Sequence, residues 1–335
     1  MIPCLRASIL VSLLLYATSG RGAETTAGPL PGTQLLEMQG DLSDGMIAGI
    51  NLFLDGELAA SPRGRAAHWN PDFSSPAAYD KSVQANRERF ARMLGVVDPR
   101  VPHVALEYVS SPSMPAKVAE TDTFTAWAVK WPVLDGIEGE GLLLEPKRPL
   151  IARIIAIPDA DQTPEEITGL AAGSSPQTAF ARRLAENGCR VLIPTLANRA
   201  DDFSGSPRLQ RFTNQPHREW IYRQAFVMGR HVIGYEVQKV LAAVDWFARE
   251  DQAQRLPLGV VGWGEGGLTA FHSAAVDRRI DGTLVSGYFS ARERVCDEPI
   301  YRNLFGQLNE FGDAEIAQLI VPRQLLIEAA IAPLV

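Results

Sequence analysis

From about Val101 the chain switches between two hydrophobic rhythms. As far as Pro158 the apolar residues come in short, closely spaced runs: "HVALEYV", "FTAWAVKWPVL", "GEGLLLEP" and "IARIIAIP". With no helical stretch between them, such runs predict strands that pair antiparallel at the start of a sheet. Beyond them, helix and strand alternate. "DQTPEEITGL" predicts a helix start, with Thr163 as cap, Pro164 in the first turn and Glu166 closing a capping box. "PQTAFARRLAENG" places Phe180 and Leu184 on one helical face, and Gly188 stops that helix before the strand "CRVLIPTL". Between Gly229 and Glu250, residues Ile233, Val237, Val240, Leu241, Val244 and Phe247 recur at helical spacing. The strand "LPLGVVGW", the helix "EGGLTAFHSAA" and the strands "DGTLVSGYF" and "PRQLLIEAA" follow. This alternation predicts a mostly parallel sheet covered by helices on both faces, entered through antiparallel N-terminal strands.

The first hundred residues have a different character. Arg6, the apolar run Ile9 to Tyr16 and the small residues Ala17 to Gly20 have the layout of a signal peptide over residues 1–22, and the run is too short to span a bilayer. The expected location is therefore secreted or periplasmic, with no stable membrane span. Residues 23–102 form a partly helical extension, in which "AASPRGRAAHWNPDFSSP" predicts turns ahead of a helix from Tyr79 to Leu94. Residues 103–335 are the main domain. Asn198 to Pro216, rich in Arg, Asp, Ser and Pro, reads as a long loop at the strand ends.

Composition narrows the chemistry. The 335 residues are 46% hydrophobic and 21% charged, enough for a full core. A net charge of −7 and scattered arginines argue against a nucleic-acid partner. The five histidines, at 68, 103, 217, 231 and 272, have no metal-ligand spacing, so no metal and no cofactor are expected. After signal removal only Cys189 and Cys296 remain, too few for a disulfide framework.

The stretch "VVGWGEGG", Val260 to Gly267, carries two readings. Gly262, Gly264 and Gly267 spell the G-x-G-x-x-G of a dinucleotide loop; Gly262, Gly264 and Gly266 fill the frame of a G-x-S-x-G nucleophile elbow whose serine is glycine. A dinucleotide loop normally opens the first βαβ unit and has an acid about 20 residues on. Here only two strands follow, and the only carboxylate at that distance is Glu293. The elbow reading suits a central strand followed by a helix.

Through "RIIAIPDADQT", "FARRLAENGCRVLIPTL", "VQKVLAAVDWF" and "GVVGWGEGGLTA", the span from about Val101 to Ala330 resembles the acetyl xylan esterase and dienelactone hydrolase branch of the α/β-hydrolases. The resemblance implies that Gly264 stands at a vacated nucleophile position and that the backbone N–H of Glu265 is one oxyanion donor, the second coming from Ala160 or its neighbours. It also places the acid after "PRQLLIEAA" and the histidine after one more strand. Neither falls within the sequence, so the expectation is a domain incomplete at its C-terminus with its last strand missing, and "PRQLLIEAA" left as an edge open to self-association.

Each remaining candidate has a plain structural alternative. Glu265 is either a replacement base or a helix-capping acid. His217 either reaches a ligand or bonds within its loop; His272 is expected to be a satisfied, partly buried histidine; Asp159 and Asp161 either shape a substrate cleft or form a turn. The sequence thus leaves an inactive or fragmentary relative of secreted ester hydrolases, a non-catalytic protein binding a small-molecule or carbohydrate ester, and, as a minor alternative, a dinucleotide-binding oxidoreductase.

Overall fold

Period-two alternation along the central strands feeds two separate cores. In the computed structural model, which describes residues 30–34, 39–250 and 255–333, the strands are β1 (Glu107–Tyr108), β2 (Lys117–Glu120), β3 (Phe124–Leu134), β4 (Ile137–Pro146), β5 (Ala152–Ile157), β6 (Cys189–Pro194), β7 (Gly205–Ser206), β8 (Arg211–Phe212), β9 (Leu258–Trp263), β10 (Gly282–Ser286) and β11 (Gln324–Glu328). The main sheet runs β1-β3-β4-β6-β5-β9-β10-β11, with β2 also paired to β3. β1 to β4 pair antiparallel, β4 joins β6 antiparallel, and β6, β5, β9, β10 and β11 are mutually parallel. Leu143, Ile155, Ile157 and Leu192 enter one core; Leu142, Leu144, Ala156, Val191 and Ile193 enter the other.

The helices are α1 (Leu42–Arg65), α2 (Pro76–Ser82), α3 (Gln84–Met93), α4 (Pro164–Thr168), α5 (Phe180–Glu186), α6 (His217–Phe226), α7 (Val232–Glu250), α8 (Glu265–Val276) and α9 (Asp313–Gln318). α4 and α5 cover the second core through Ile167, Ala181 and Ala185, whereas α3, α7, α8 and α9 close the first. Such two-sided cover requires strands apolar on both faces, as β5 and β6 are. α4 begins as its sequence predicts: the Glu166 amide donates to Thr163 Oγ1 at 3.3 Å and the Thr163 amide to Glu166 Oε2 at 2.6 Å.

Two local expectations are corrected. The first part of "AASPRGRAAHWNPDFSSP" is helix, since α1 continues through Pro62 to Arg65. Proline leaves the carbonyl four residues back without its amide donor, and the Ser61 hydroxyl supplies one to Leu58 O at 2.9 Å. The helix expected from Tyr79 to Leu94 is two helices meeting at Val83, the first starting earlier because Ser75 caps it ahead of Pro76.

The chain divides into compact units Met1–Leu52 and Phe53–Val335. The signal-peptide expectation lies outside the described residues. Among the described residues, no helix is long and apolar enough to cross a membrane.

Candidate functional site

β9 runs into α8 through a single residue, Gly264, with φ 60° and ψ −121°. This backbone conformation is strained for any residue with a side chain. The turn is tight enough that a Cβ added to Gly266 would lie 2.2 Å from Ile157 O, so α8 packs directly on the end of β5. The Gly264 amide donates to Ser286 O at 3.0 Å and its carbonyl accepts from Leu268 at 3.0 Å, which locks the turn between β10 and α8.

The space a nucleophile would need at this elbow is filled. A Cβ on Gly264 would come within 2.5 Å of Asp159 Oδ1, 2.6 Å of Pro333 Cγ and 2.8 Å of Pro333 Cδ. Asp159 Oδ1 also accepts the Glu265 amide at 2.9 Å. Arg199 grips the same carboxylate from the other side, Nη1 donating to Oδ2 at 2.7 Å and Nη2 to Oδ1 at 3.2 Å. Burial opposes ionisation of Asp159, but the hydrogen bonds from Arg199 and the Glu265 amide, with the guanidinium charge, outweigh it and hold the carboxyl below its ordinary range. An internal anion thus sits at the positive end of α8, where a pyrophosphate or an oxyanion would otherwise bind. For the dinucleotide reading this is a physical obstacle: a pyrophosphate would have to displace a carboxylate already neutralised by Arg199.

The side chain of Glu265 is wholly buried and gathers arginines from three distant segments. Arg302 reaches Oε1 with Nη2 at 2.6 Å and Nε at 2.7 Å, Arg199 Nη2 lies 3.4 Å from Oε1, and Arg218 Nη2 lies 3.5 Å from Oε2. Arg218 stacks over Tyr301 and donates to Ala197 O at 2.9 Å. Arg302 also holds Glu298 at 2.7 Å. Burial alone would lower the pKa of Arg302, yet the Glu265 and Glu298 carboxylates raise it above the ordinary guanidinium value. The Glu265 carboxylate is therefore an anchored acceptor enclosed by cations, whereas a working base must present a lone pair to substrate.

The other candidates fall around this network. Ala160 is buried next to Asp159. Asp161 has an exposed side chain that accepts the Arg199 amide at 2.8 Å and Nη1 at 2.9 Å. Asp159, Asp161, Gly264 and Glu265 are thus brought together, with Arg199 as the common partner of the three carboxylates. His217 is not part of that cluster. Its Nε2 accepts the Phe203 amide at 2.8 Å, which places the ring proton on Nδ1, 2.6 Å from Asn198 Oδ1; its ring stacks on Phe203. His272, expected to be satisfied and partly buried, is instead almost fully buried among Phe90, Phe271 and Tyr288, and neither ring nitrogen has a hydrogen-bond partner among the described residues. Among the described residues, no group of three His, Cys, Asp or Glu side chains is placed to hold a metal ion.

Arg199, Arg218 and Arg302 escaped the sequence reading. Each stands beside ordinary loop residues, in "ANRADD", "QPHREW" and "IYRN", and a charge destined for burial has no local mark.

The chain matches no protein-family model and no curated protein. Among solved structures it is similar to a protein assigned as an acetyl xylan esterase from Bacteroides fragilis, with a TM-score of 0.63 and 14% identity over 88% of this chain and 77% of that one. It is also similar to a methylesterase, with a TM-score of 0.50 and 14% identity over 83% of this chain and 55% of the other, so that it spans little more than half of that structure. At these identities the likeness establishes the fold. The chain has the α/β-hydrolase fold, with a mostly parallel sheet and helices around it.

Proposed function

We propose that this protein is a non-catalytic member of the α/β-hydrolase fold that binds a small-molecule or carbohydrate ester and does not cleave it. The observation carrying this reading is the Asp159 carboxylate, 2.5 Å from the position of a Cβ on residue 264 and bonded to the Glu265 amide. Serine-type ester cleavage needs a side-chain oxygen at the elbow and free amide donors for the developing oxyanion. Gly264 offers no oxygen, and the amide in question already has an internal acceptor.

A ligand would lie beside the elbow. A cavity of about 620 Å³ opens at the C-terminal ends of β9, β10 and β11, with Trp263, Ser286 and Glu328 on the sheet side and Phe180 and Leu184 of α5 opposite. Ligands in open α/β sheets favour the carboxyl ends of the strands. Export through the N-terminal segment, from the Arg6 to Gly20 pattern, belongs to the same reading, as does pairing of copies along β11.

The test is a single-turnover assay with an activated acetyl ester, followed by mass spectrometry of the intact protein. Non-enzymatic stabilisation by a cleft can still exceed water by about 10³-fold, so the deciding readout is the acyl adduct. None is expected; a stoichiometric adduct on any residue overturns the proposal. Titration with acetylated xylo-oligosaccharide by calorimetry, with Trp263→Ala as control, tests the binding half.

A further inference from the structure

A second cavity, of about 740 Å³, shares no residue with the elbow or with the cavity beside it. Its walls combine exposed aromatic rings with an excess of guanidinium groups. Phe226, at the end of α6, and Phe305 face one another edge to face with centroids 6.3 Å apart, and both are exposed, Phe305 by 82%. Arg89, Arg92 and Arg230 contribute cations and Glu310 an anion.

The pairing of these charges leaves a surplus. Glu310 is gripped by Arg89 through three hydrogen bonds of 2.7 to 2.9 Å and receives a further bond from Asn86, so its charge is spent. Arg230 is committed to Asp98 at 2.6 and 2.7 Å and to Met228 O at 2.8 Å. Arg92 is exposed on the last turn of α3, and its guanidinium makes no hydrogen bond or ion pair among the described residues. Exposed arginine alone is ordinary surface; here it borders a cavity whose lining also holds two unburied rings and the exposed His68. A planar apolar body laid against the exposed surfaces of Phe226 and Phe305 would cover apolar area, and a carboxylate on it would find the guanidinium fork of Arg92 in the lining of the same cavity.

From this combination we infer that the cavity is a binding site for a small aromatic carboxylate. The rings supply the contact area and Arg92 the charge-assisted, bidentate recognition that selects carboxylate over amide. Binding here is independent of ester chemistry at the elbow, and its outcome does not decide that of the non-catalytic reading.

The experiment is a calorimetric titration of the full chain with benzoate, with benzamide as the neutral isostere. One site should take benzoate and reject benzamide. Arg92→Gln should weaken binding by about tenfold or more, the loss expected for one hydrogen bond to a charged group. Phe305→Ala should weaken it as well. Because the Arg92 guanidinium has no partner among the described residues, its variant should unfold as the parent does, and thermal unfolding checks this. Arg211→Gln, at an exposed arginine of β8 outside the cavity, should bind benzoate unchanged. The inference is overturned by absence of benzoate binding at millimolar concentration, by equal binding of benzamide, by an unaffected Arg92→Gln protein, or by an equal loss in Arg211→Gln.

Discussion

The Asp159 carboxylate accepts the backbone amide of Glu265 at 2.9 Å, across 106 positions of sequence. That one bond joins the loop after β5 to the first turn of α8, and both residues are charged, buried and paired with Arg199. Breaking a buried pair by removing one partner costs far more than the pair contributes as a whole, because the other charge is left uncompensated.

Removal of the Asp159 carboxylate should accordingly be among the more damaging single changes in the loop after β5. Asp159→Ala strands the buried Glu265 amide while Arg199 keeps Asp161 and Glu265 as partners, and urea unfolding should show a loss of about 1 to 3 kcal/mol. Asp159→Asn keeps an acceptor for the amide and should lose less. Stability of the alanine protein within about 0.5 kcal/mol of the parent would show that the network does not hold the elbow.

Placing a hydroxyl at residue 264 should fail for steric reasons. Gly264→Ser places a side chain at φ 60° against Asp159 and Pro333, with backbone strain alone costing about 1 to 3 kcal/mol. The variant should unfold at lower denaturant and form no acyl adduct with an activated acetyl ester. Efficient turnover would reveal a base and a route to the elbow that the Asp159 plug and Pro333 should exclude.

His272 should make the fold sensitive to mild acid. Burial lowers its pKa to about 3, with the charges of Arg292 and His231 adding to the effect; burial likewise holds His231 at about 4 against a hydrogen bond to Asn303 O. With folded values below the unfolded value near 6.5, the unfolded chain binds the extra protons. Stability is thus present above about pH 6.5 and is lost as pH falls towards 4 and 3, by about 1.4 kcal/mol per pH unit for each histidine. Asp313 works in the other direction: burial raises it to about 6, so the folded state keeps its proton between about 4 and 6. His272→Phe isolates the histidine. Its stability relative to the parent should rise steadily as pH is lowered below 6.5, and a difference that stays flat with pH would contradict a buried neutral imidazole.

At the sheet edge, β11 exposes Leu326 and Ile327, and an apolar edge invites pairing. Sedimentation velocity should show concentration-dependent association that Leu326→Lys abolishes. A parent protein that stays monomeric throughout argues against a role for the edge.

Export is checked at the N-terminus. Protein recovered from outside the cytoplasm should begin between about Ser19 and Glu24, as expected for segments of this kind, and soluble mature protein that retains Met1 would refute it.

The layered architecture was legible because it depends on short-range pattern. Short, closely spaced apolar runs gave β3 and β5, helical spacing gave α7, and the Thr163 to Glu166 box marked the start of α4, each within a span shorter than 20 residues. Even the elbow could be seen, because steric demand on a strand-to-helix turn restricts the residues beside it to glycine. Proline misled at α1, where a neighbouring hydroxyl supplied the hydrogen bond that Pro62 removed. What fills the elbow depended on tertiary structure alone. Asp159, Arg199, Arg218, Glu265 and Arg302 are ordinary charged residues in the sequence, and they become one buried network only when the sheet order sets β5 beside β9 and folds the loops at 199, 218 and 302 over the same helix end. Side-chain periodicity is a local property of the chain, whereas the partner of a buried charge is fixed by whichever distant segment the fold brings within hydrogen-bonding distance.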